Sequence, residues 1–194
     1  MSGQLTMAVM PIWKAILNAV AFQPASEAAR PRPRNGASSP SPEPCDAAKV
    51  FESEVQIRFA HCDPAGIVFY PQYFVILNGL MEDWFTEGLG VDFADMVTKR
   101  KIGIPTARID CTFSRPSYLG ERLTLGVTVT RIGNRSISIE VLGTVNGETR
   151  LKAVQTIVMF SLATMKSIPI PADIRKALPR YCHQGAETAM GRDD

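Results

Sequence analysis

The chain has 194 residues, of which 45% are apolar and 21% charged, so it can bury the core of one ordinary soluble domain and is not disordered throughout. The formal net charge is +2, but residues 1–50 hold five Lys or Arg against three Asp or Glu, which leaves sixteen of each sign in the rest. This neutral body argues against a nucleic-acid-binding protein, because phosphate contacts require a surplus of cations on one face.

The first fifty residues differ in composition from the rest. Seven of the fourteen prolines precede residue 51, and residues 24–44 consist mainly of Pro, Ser, Ala and Arg, which predicts a disordered linker. Residues 7–22 are apolar but are interrupted by Pro11, Lys14 and Asn18, so the stretch falls short of the roughly 20 residues of a membrane span. The absence of Lys and Arg from the first six residues argues against a secretory signal and favours a weak amphipathic helix or an over-extended translation start. We therefore predict a disordered extension over residues 1–48 and a cytoplasmic protein that does not contact membranes.

The four cysteines form neither a Cys-x-x-Cys pair nor a regular spacing, so we expect no structural zinc and no disulfide framework. Two Cys–His neighbours occur, His61-Cys62 and Cys182-His183, and they would make a metal site only if the fold brought both pairs together. Adjacent residues rarely bind the same ion, and Cys62 and Cys111 are typical of small buried apolar side chains. The sequence thus predicts no metal.

The folded body is predicted to begin near Phe51 with a half-buried strand. Val55, Ile57 and Phe59 alternate with polar neighbours, which is the period of a strand with one buried face. A turn-rich segment follows at residues 61–66.

A helix is predicted next, over residues 73–84. Apolar residues cover most of its surface, so we expect it to be buried on nearly every side. Pro71 suits its first turn, and Gly88 and Gly90 suit its end. Residues 92–101 are predicted to add a short helix.

Beyond residue 101 the apolar period returns to two, which indicates successive strands. The alternating segments span residues 109–113, 123–129 and 137–141. Residues 151–162 are almost continuously apolar and are predicted to form a central strand covered on both faces. Because Asn146-Gly147 tolerates the positive φ angles of a tight hairpin, we expect the last three strands to form a meander.

One apolar helix beside about five antiparallel strands packs most economically when the curved sheet wraps around the helix. That arrangement is the α+β hot-dog fold. We predict it over residues 49–180 and predict that residues 181–194 form a flexible tail.

A carboxylate, Asp63, lies in the turn just before the predicted helix. The first N–H groups of a helix have no partner within it and carry the positive end of its dipole, so this position stabilises an oxyanion. The carboxylate is a nucleophile or base, and the start of the helix accepts charge from the carbonyl. Together they supply the two elements that acyl transfer requires. Taken alone, an Asp before Pro is also a common turn signal.

The surrounding segment resembles a known signature. Residues 63–73 read Asp-Pro-Ala-Gly-Ile-Val-Phe-Tyr-Pro-Gln-Tyr and match, at every fixed letter, the D-P-A-G-I-V-x-Y-P-x-Y stretch of the 4-hydroxybenzoyl-CoA thioesterase family. The resemblance continues in residues 113–123 and runs from about Phe51 to Leu178. It implies a hot-dog acyl-CoA thioesterase that hydrolyses either an aromatic acyl-CoA of the hydroxybenzoyl type or a short-chain acyl-CoA. It also implies a homodimer or a tetramer of dimers with its active site across the dimer interface, and no cofactor other than the coenzyme A of the substrate.

The resemblance assigns roles at matching positions. Asp63 corresponds to the catalytic aspartate, either as nucleophile or as general base, and the main-chain N–H of Tyr70 corresponds to the group that polarises the thioester carbonyl. Gly66 would let the backbone approach the thioester. Ile67 and Val68 would form the wall of the pocket.

Five further positions carry weaker assignments. Arg131, Arg135 and Ser136 resemble the pattern that binds coenzyme A phosphates, for which the forked guanidinium is suited, although a solvated hairpin tip is the alternative. Asn78 stands where the hydroxybenzoyl enzyme has a carboxylate for the ring hydroxyl, so the acyl group can differ. His61 also departs from the family, which has an acid there; the imidazole can tune Asp63 or fill space.

Two rival functions follow from the same fold. A hot-dog hydratase also binds acyl-CoA, but that family pairs its aspartate with a histidine five residues later, and this chain has Val68 there. A non-catalytic acyl-thioester-binding protein is the second rival, because a family resemblance does not exclude it.

Overall fold

The computed structural model describes residues 49–182, in which a five-stranded antiparallel sheet packs against one long helix. The strands are β1 (Phe51–Gln56), β2 (Ile102–Gly103), β3 (Thr106–Phe113), β4 (Arg122–Ile132), β5 (Ser136–Val145), β6 (Glu148–Val158), β7 (Phe160–Ser161) and β8 (Lys166–Ser167). The helices are α1 (Tyr70–Asp83), α2 (Phe93–Thr98) and α3 (Ala172–Ala177), with a π-helical turn at Trp84–Gly88 and 3-10 turns at Phe59–His61 and Leu178–Tyr181. The predictions for residues 1–48 and 183–194 lie outside these residues.

The main sheet has the strand order β1-β4-β5-β6-β3, and all its neighbours are antiparallel. The predicted meander is confirmed, since β4, β5 and β6 pair in sequence. Asn146 and Gly147 form the β5–β6 turn with φ angles of 51° and 79°, the left-handed region that this dipeptide tolerates. A smaller sheet joins β2, β7 and β8.

The core lies between the concave face of the sheet and one stripe of α1. The inward side chains of β4 and β5 alternate with outward ones and are fully buried, as the period of two predicts. The helix contributes five buried residues to this core: Tyr73, Ile76, Leu77, Leu80 and Met81. Trp84 and Phe85 are also completely buried and complete the core beyond the end of the helix.

The expectation that α1 is buried on nearly every side is wrong within this chain. Phe74 and Asn78 are exposed, and Val75 is 62% exposed. The sheet covers one side of the helix only, and the helical period places these residues on the other side. An apolar stripe of the central helix is therefore exposed within the described residues.

Strand β6 is central, but the expectation that both its faces are covered is also wrong. Leu151, Ala153 and Ile157 face the core, whereas Val154 between them is exposed on the outer face. The reason is that a single layer of sheet has a helix on only one side.

Two boundaries differ from the prediction. β1 ends at Gln56, and Phe59, predicted to continue the strand, lies in a 3-10 turn and is 82% exposed. At the other end, Tyr181 and Cys182 were predicted to belong to the flexible tail. Tyr181 is buried and its hydroxyl donates to the Gly88 carbonyl at 2.9 Å, while Cys182 bridges to Val129, so both belong to the domain.

Strand β3 is an edge of the main sheet and pairs only with β6 within the described residues. Its inward residues Ile109 and Cys111 are half-buried, and its other residues are exposed. No helix within residues 49–182 is long and apolar enough to cross a membrane.

Candidate active site

The Asp63 turn is a tight hairpin that leads directly into α1. Its two arms pair antiparallel, with the Asp63 N–H donating to the Ile67 carbonyl and the Phe69 N–H to the His61 carbonyl, both at 2.9 Å. Gly66 closes the turn at φ 74°, and a side chain at this position would have no atom within 4 Å. The left-handed backbone therefore explains why glycine stands here, and the open space beside it leaves the backbone accessible.

The Asp63 carboxylate is half-buried and is anchored by one oxygen. Its Oδ1 accepts a hydrogen bond from the Ala65 N–H at 2.8 Å, which is the local bond expected of an Asp in a turn. No group within residues 49–182 donates to Oδ2. The turn role and the chemical role are thus compatible, because one oxygen holds the hairpin while the other remains available.

The start of α1 presents one unpaired donor. Phe69 precedes the helix without a side-chain cap, Pro71 has no N–H, and the Gln72 N–H donates to the Phe69 carbonyl at 2.8 Å. Within the described residues the Tyr70 N–H has no acceptor. This N–H carries the positive end of the helix dipole and can bind a carbonyl oxygen.

A cleft of about 290 Å³ opens beside this donor. It is lined by Ile67, Val68, Tyr70, Tyr73, Phe113, Ser114, Arg115 and Pro116. The predicted wall residues Ile67 and Val68 therefore lie beside the start of α1. The cleft that they line lies between the hairpin and Phe113, the last residue of β3.

The loop between β3 and β4 holds the hairpin in place. The Val68 N–H donates to the Ser117 carbonyl at 2.9 Å, and the Leu119 N–H donates to the Gly66 carbonyl at 3.0 Å. The Tyr73 hydroxyl donates to Ser117 Oγ at 2.9 Å, and both side chains are buried. The loop thus ties the hairpin to α1.

Arg150 anchors this loop from within the sheet. Its guanidinium donates to the Glu121 carboxylate at 3.1 Å, and the same carboxylate accepts the Tyr118 N–H at 2.8 Å. Its main-chain carbonyl accepts the Ser114 N–H at 2.8 Å. The Arg150 side chain is nearly buried and Glu121 is three-quarters buried, so the pair is shielded from water.

We expect Arg150→Met to destabilise the protein by about 1–3 kcal/mol, because Glu121 loses the partner that compensates its burial. The loosened loop should also lower kcat, since it carries the hairpin. Thermal unfolding and kcat are the measurements. Lys152→Met, on the same strand, is the control, because its ion pair with Glu140 lies at the surface and should contribute less than about 1 kcal/mol. Equal effects from both variants would contradict an anchoring role for Arg150.

Asn78 does not lie in this cleft. It is on α1 eight residues after Tyr70, roughly 12 Å along the helix axis. There it lines a second cleft of about 290 Å³, whose residues are Asn78, Met81, Glu82, Phe93, Ile104, Pro105, Thr106 and Gln155. The two clefts lie at opposite ends of β3.

Arg131, Arg135 and Ser136 lie further away, at the β4–β5 turn. The Asp63 hairpin is beside the start of β4, where the Ile57 N–H donates to the Glu121 carbonyl. Along β4, nine residues of strand, roughly 30 Å, separate Arg122 from Arg131. Arg135 donates to the main-chain and side-chain oxygens of Ser167, both at 3.2 Å. Within one chain, Arg131, Arg135 and Ser136 therefore lie far from Asp63.

Two further side chains contact these sites, and the sequence pattern indicated neither of them. Arg175 donates to the carbonyls of Gly133 and Asn134 at 2.7 and 3.1 Å and adds a third cation at the β4–β5 turn. Gln155 is buried in the second cleft and donates from Nε2 to Thr106 Oγ1 at 2.7 Å. The available signal for Gln155 was an amide at an inward position of β6, between the apolar residues Ala153 and Ile157.

The surroundings of Cys111 and His61 indicate structural roles for these two side chains. Burial raises the pKa of the Cys111 thiol, so this thiol is protonated and a poor nucleophile at neutral pH. His61 accepts the Arg58 N–H on Nδ1 at 3.1 Å and closes the 3-10 turn, which fits the space-filling alternative for this residue. Among residues 49–182 no group of three or more His, Cys, Asp or Glu side chains could hold a metal ion.

Comparison with known proteins identifies related sequences. Residues 57–178 match the family model described as the thioesterase-like superfamily. The 1,4-dihydroxy-2-naphthoyl-CoA hydrolase of Thermosynechococcus vestitus is 25% identical over 139 residues, which cover 71% of this chain and 92% of that protein. The enzyme of the same name from Nostoc punctiforme is 25% identical over 142 residues, covering 71% and 93%.

Solved structures confirm the predicted fold. A gentisyl-coenzyme A thioesterase superposes with a TM-score of 0.60 and 25% identity, covering 67% of this chain and 99% of that one. A 1,4-dihydroxy-2-naphthoyl-CoA thioesterase from Synechocystis gives a TM-score of 0.61 at 20% identity, covering 67% and 96%. The names of these relatives refer to dihydroxynaphthoyl and gentisyl thioesters. The family whose signature the sequence resembles is named for a 4-hydroxybenzoyl thioester instead.

Proposed function

The chain belongs to the thioesterase-like superfamily, and from this membership we propose that it hydrolyses an aromatic acyl-coenzyme A to the free acid and coenzyme A. One observation carries the proposal. The Asp63 carboxylate, with one oxygen anchored and the other unpaired, lies in a hairpin that continues into a helix whose first N–H is also unpaired within the described residues. The names of the relatives favour an aromatic acyl group over a short aliphatic one.

In the proposed reaction the thioester carbonyl oxygen accepts a hydrogen bond from the Tyr70 N–H, which stabilises the negative charge that develops on it. Two routes fit this geometry. In the nucleophilic route, Asp63 Oδ2 bonds to the carbonyl carbon, the carbon–sulfur bond breaks, coenzyme A leaves and takes up a proton, and water hydrolyses the resulting anhydride. In the general-base route, Asp63 takes a proton from the water that attacks the same carbon, the carbon–sulfur bond breaks, and coenzyme A leaves with a proton from Asp63.

We propose further that the active unit is a two-fold dimer joined along β3. Strand β3 has a free edge within the described residues, and an exposed apolar stripe of α1 flanks it, with Phe74 and Val75 as members. A two-fold axis at a sheet edge pairs the two copies of the strand antiparallel. The outward charges suit this pairing, because an axis at Ile109 places Arg108 opposite the partner's Asp110.

The same pairing completes the active site. With the axis at Ile109, Phe113 at the end of β3 lies opposite the partner's Pro105, the residue just before its β3. Phe113 lines the cleft beside Tyr70, and Pro105 lines the second cleft, which contains Asn78. The cleft beside Tyr70 therefore meets the second cleft of the other subunit, whose β4–β5 turn brings Arg131, Arg135 and Ser136 to the same end. These three residues would bind the coenzyme A phosphates.

The test is release of thiol from a panel of acyl-CoAs by the full-length chain. The panel contains benzoyl-, hydroxybenzoyl- and 1,4-dihydroxy-2-naphthoyl-CoA together with acetyl- and butyryl-CoA. We expect aromatic thioesters to be hydrolysed with kcat/KM values at least about 10² times those of the aliphatic ones, a difference within the range that complementary pockets achieve. Binding of the aromatic thioesters without thiol release would instead establish the non-catalytic alternative.

A further inference from the structure

Gln155 has an unsatisfied acceptor in the second cleft. Its side chain is on the inward face of β6 and is only 4% exposed. The amide Nε2 donates to Thr106 Oγ1 at 2.7 Å, whereas the buried Oε1 has no hydrogen-bond partner within the described residues. A buried carbonyl oxygen without a donor has lost its hydrogen bonds to water without a replacement, so the folded chain is destabilised at this position.

A molecule bound in the second cleft can supply the missing hydrogen-bond donor. Gln155 lies in a cleft of about 290 Å³, large enough for an aromatic ring, and this cleft also contains the Asn78 amide and the Thr106 hydroxyl. A hydroxyl group fits such surroundings, because it can donate to the Gln155 oxygen and accept from Thr106 or Asn78. An unsubstituted ring would leave the Gln155 oxygen buried and unpaired.

The second cleft does not serve the Asp63 of its own chain. Asn78 is roughly 12 Å along α1 from Tyr70, a longer distance than one aromatic ring spans from its thioester carbon. In the dimer described above, however, the cleft adjoins the Asp63 hairpin of the partner subunit.

We infer that Gln155 determines substrate specificity in trans: it accepts a hydrogen bond from a ring hydroxyl of the acyl group whose thioester is bound at Asp63 of the partner subunit. The inference rests on the proposed thioesterase function and deepens it, since it selects hydroxylated aromatic acyl groups. It also adds a residue to the site that the sequence pattern did not indicate.

The first test compares hydroxylated and unsubstituted substrates. We expect the wild-type protein to hydrolyse 3- or 4-hydroxybenzoyl-CoA with a kcat/KM about tenfold above that of benzoyl-CoA, the factor expected of one buried hydrogen bond. In Gln155→Leu this ratio should fall to about one. The matched control is Thr156→Val, one residue along the same strand but on the outer face, where the ratio should stay at the wild-type value. A Gln155→Leu protein that keeps the tenfold ratio would overturn the inference.

The second test decides whether Gln155 acts on the partner's site. Asp63→Asn subunits, which retain Gln155, are mixed with Gln155→Leu subunits, which retain Asp63. If Gln155 acts in trans, each mixed dimer contains one site with both native residues, so with Asp63→Asn subunits in large excess the ratio returns to nearly tenfold. If it acts within its own chain, every working site in the mixture carries the Gln155→Leu substitution and the ratio stays at one, which refutes the trans arrangement.

Failure of the inference is distinguishable from failure of the proposed function. Benzoyl-CoA turnover without a hydroxyl preference leaves the thioesterase function standing and removes the role of Gln155. If no thioester is hydrolysed, equilibrium binding of 4-hydroxyphenacyl-CoA and phenacyl-CoA, thioethers that resist hydrolysis, still tests the inference. The first should then bind about tenfold more tightly than the second to the wild-type protein, and the two should bind equally tightly to Gln155→Leu.

Folding of the variant provides a separate check. Because Gln155→Leu removes an unsatisfied buried oxygen, its thermal midpoint should stay within a few degrees of the wild-type value. Should the variant nevertheless fail to fold, Thr106→Val removes the hydroxyl that orients the Gln155 amide, and the hydroxyl preference should decrease in the same direction. An unchanged preference in a folded Thr106→Val protein would count against the inference.

Discussion

Asp63→Asn should lower kcat for aromatic acyl-CoA hydrolysis by at least about 10³-fold while the protein keeps its fold. The asparagine oxygen can still accept the Ala65 N–H bond that holds the turn, so the hairpin should remain in place. What the variant loses is the ionised oxygen that attacks the thioester or takes the proton from water. The measurements are kcat under saturating substrate and the thermal midpoint, which should change by no more than a few degrees.

A folded Asp63→Asn protein with wild-type turnover would exclude both catalytic roles of this residue. The choice between the two roles requires one turnover in ¹⁸O-labelled water with enzyme in excess. Label in the Asp63 carboxylate indicates an anhydride intermediate that water opens at the aspartyl carbonyl. Label confined to the free acid fits both routes, and mass spectrometry of the rapidly quenched chain then decides, because only the nucleophilic route attaches the acyl group to Asp63.

Tyr70→Pro should lower kcat by about 10²–10³-fold, because it removes the unpaired main-chain N–H that we propose binds the carbonyl oxygen. Proline is tolerated at the first position of a helix, where the N–H has no intrahelical partner. The preceding Phe69 has φ −67° and ψ 122°, an extended conformation that a following proline favours. The substitution is therefore expected to remove the donor without breaking α1.

Tyr70→Ala is the control, because it removes the same side chain but keeps the N–H. The Tyr70 ring is 60% exposed, so its loss should cost little stability and less than about tenfold in kcat. Equal kcat values for the proline and alanine variants, both folded by circular dichroism, would show that the Tyr70 N–H does not bind the oxyanion.

Most of the fold could be predicted from local patterns. The period of two along β4 and β5, the helix over residues 73–84 and the Asn146-Gly147 turn are each determined by a few neighbouring residues, and all are present. The errors concern burial. The apolar residues Phe74, Val75 and Val154 were expected to be covered, but hydrophobicity does not specify whether the covering surface belongs to the same chain or to another.

The candidate site was predictable only where it is contiguous in sequence. Asp63, Gly66, Ile67, Val68 and Tyr70 lie within eight residues, so one hairpin brings them together. Asn78 and Arg131 are far from this hairpin within one chain, since a helix and a strand of fixed rise separate them from it.

By itself, the sequence determined the succession of helix and strands, the hairpin that carries the carboxylate and the family to which these belong, because each depends on side chains close together along the chain. Only the tertiary structure decided which surfaces stay uncovered, that Arg150 anchors the loop beneath the hairpin, and that the Gln155 oxygen is buried without a donor among the described residues. The physical reason is that burial and hydrogen-bond satisfaction depend on residues far apart in sequence. β6 carries both Arg150 and Gln155, and the partners of these residues come from β3 and from the loop that follows it.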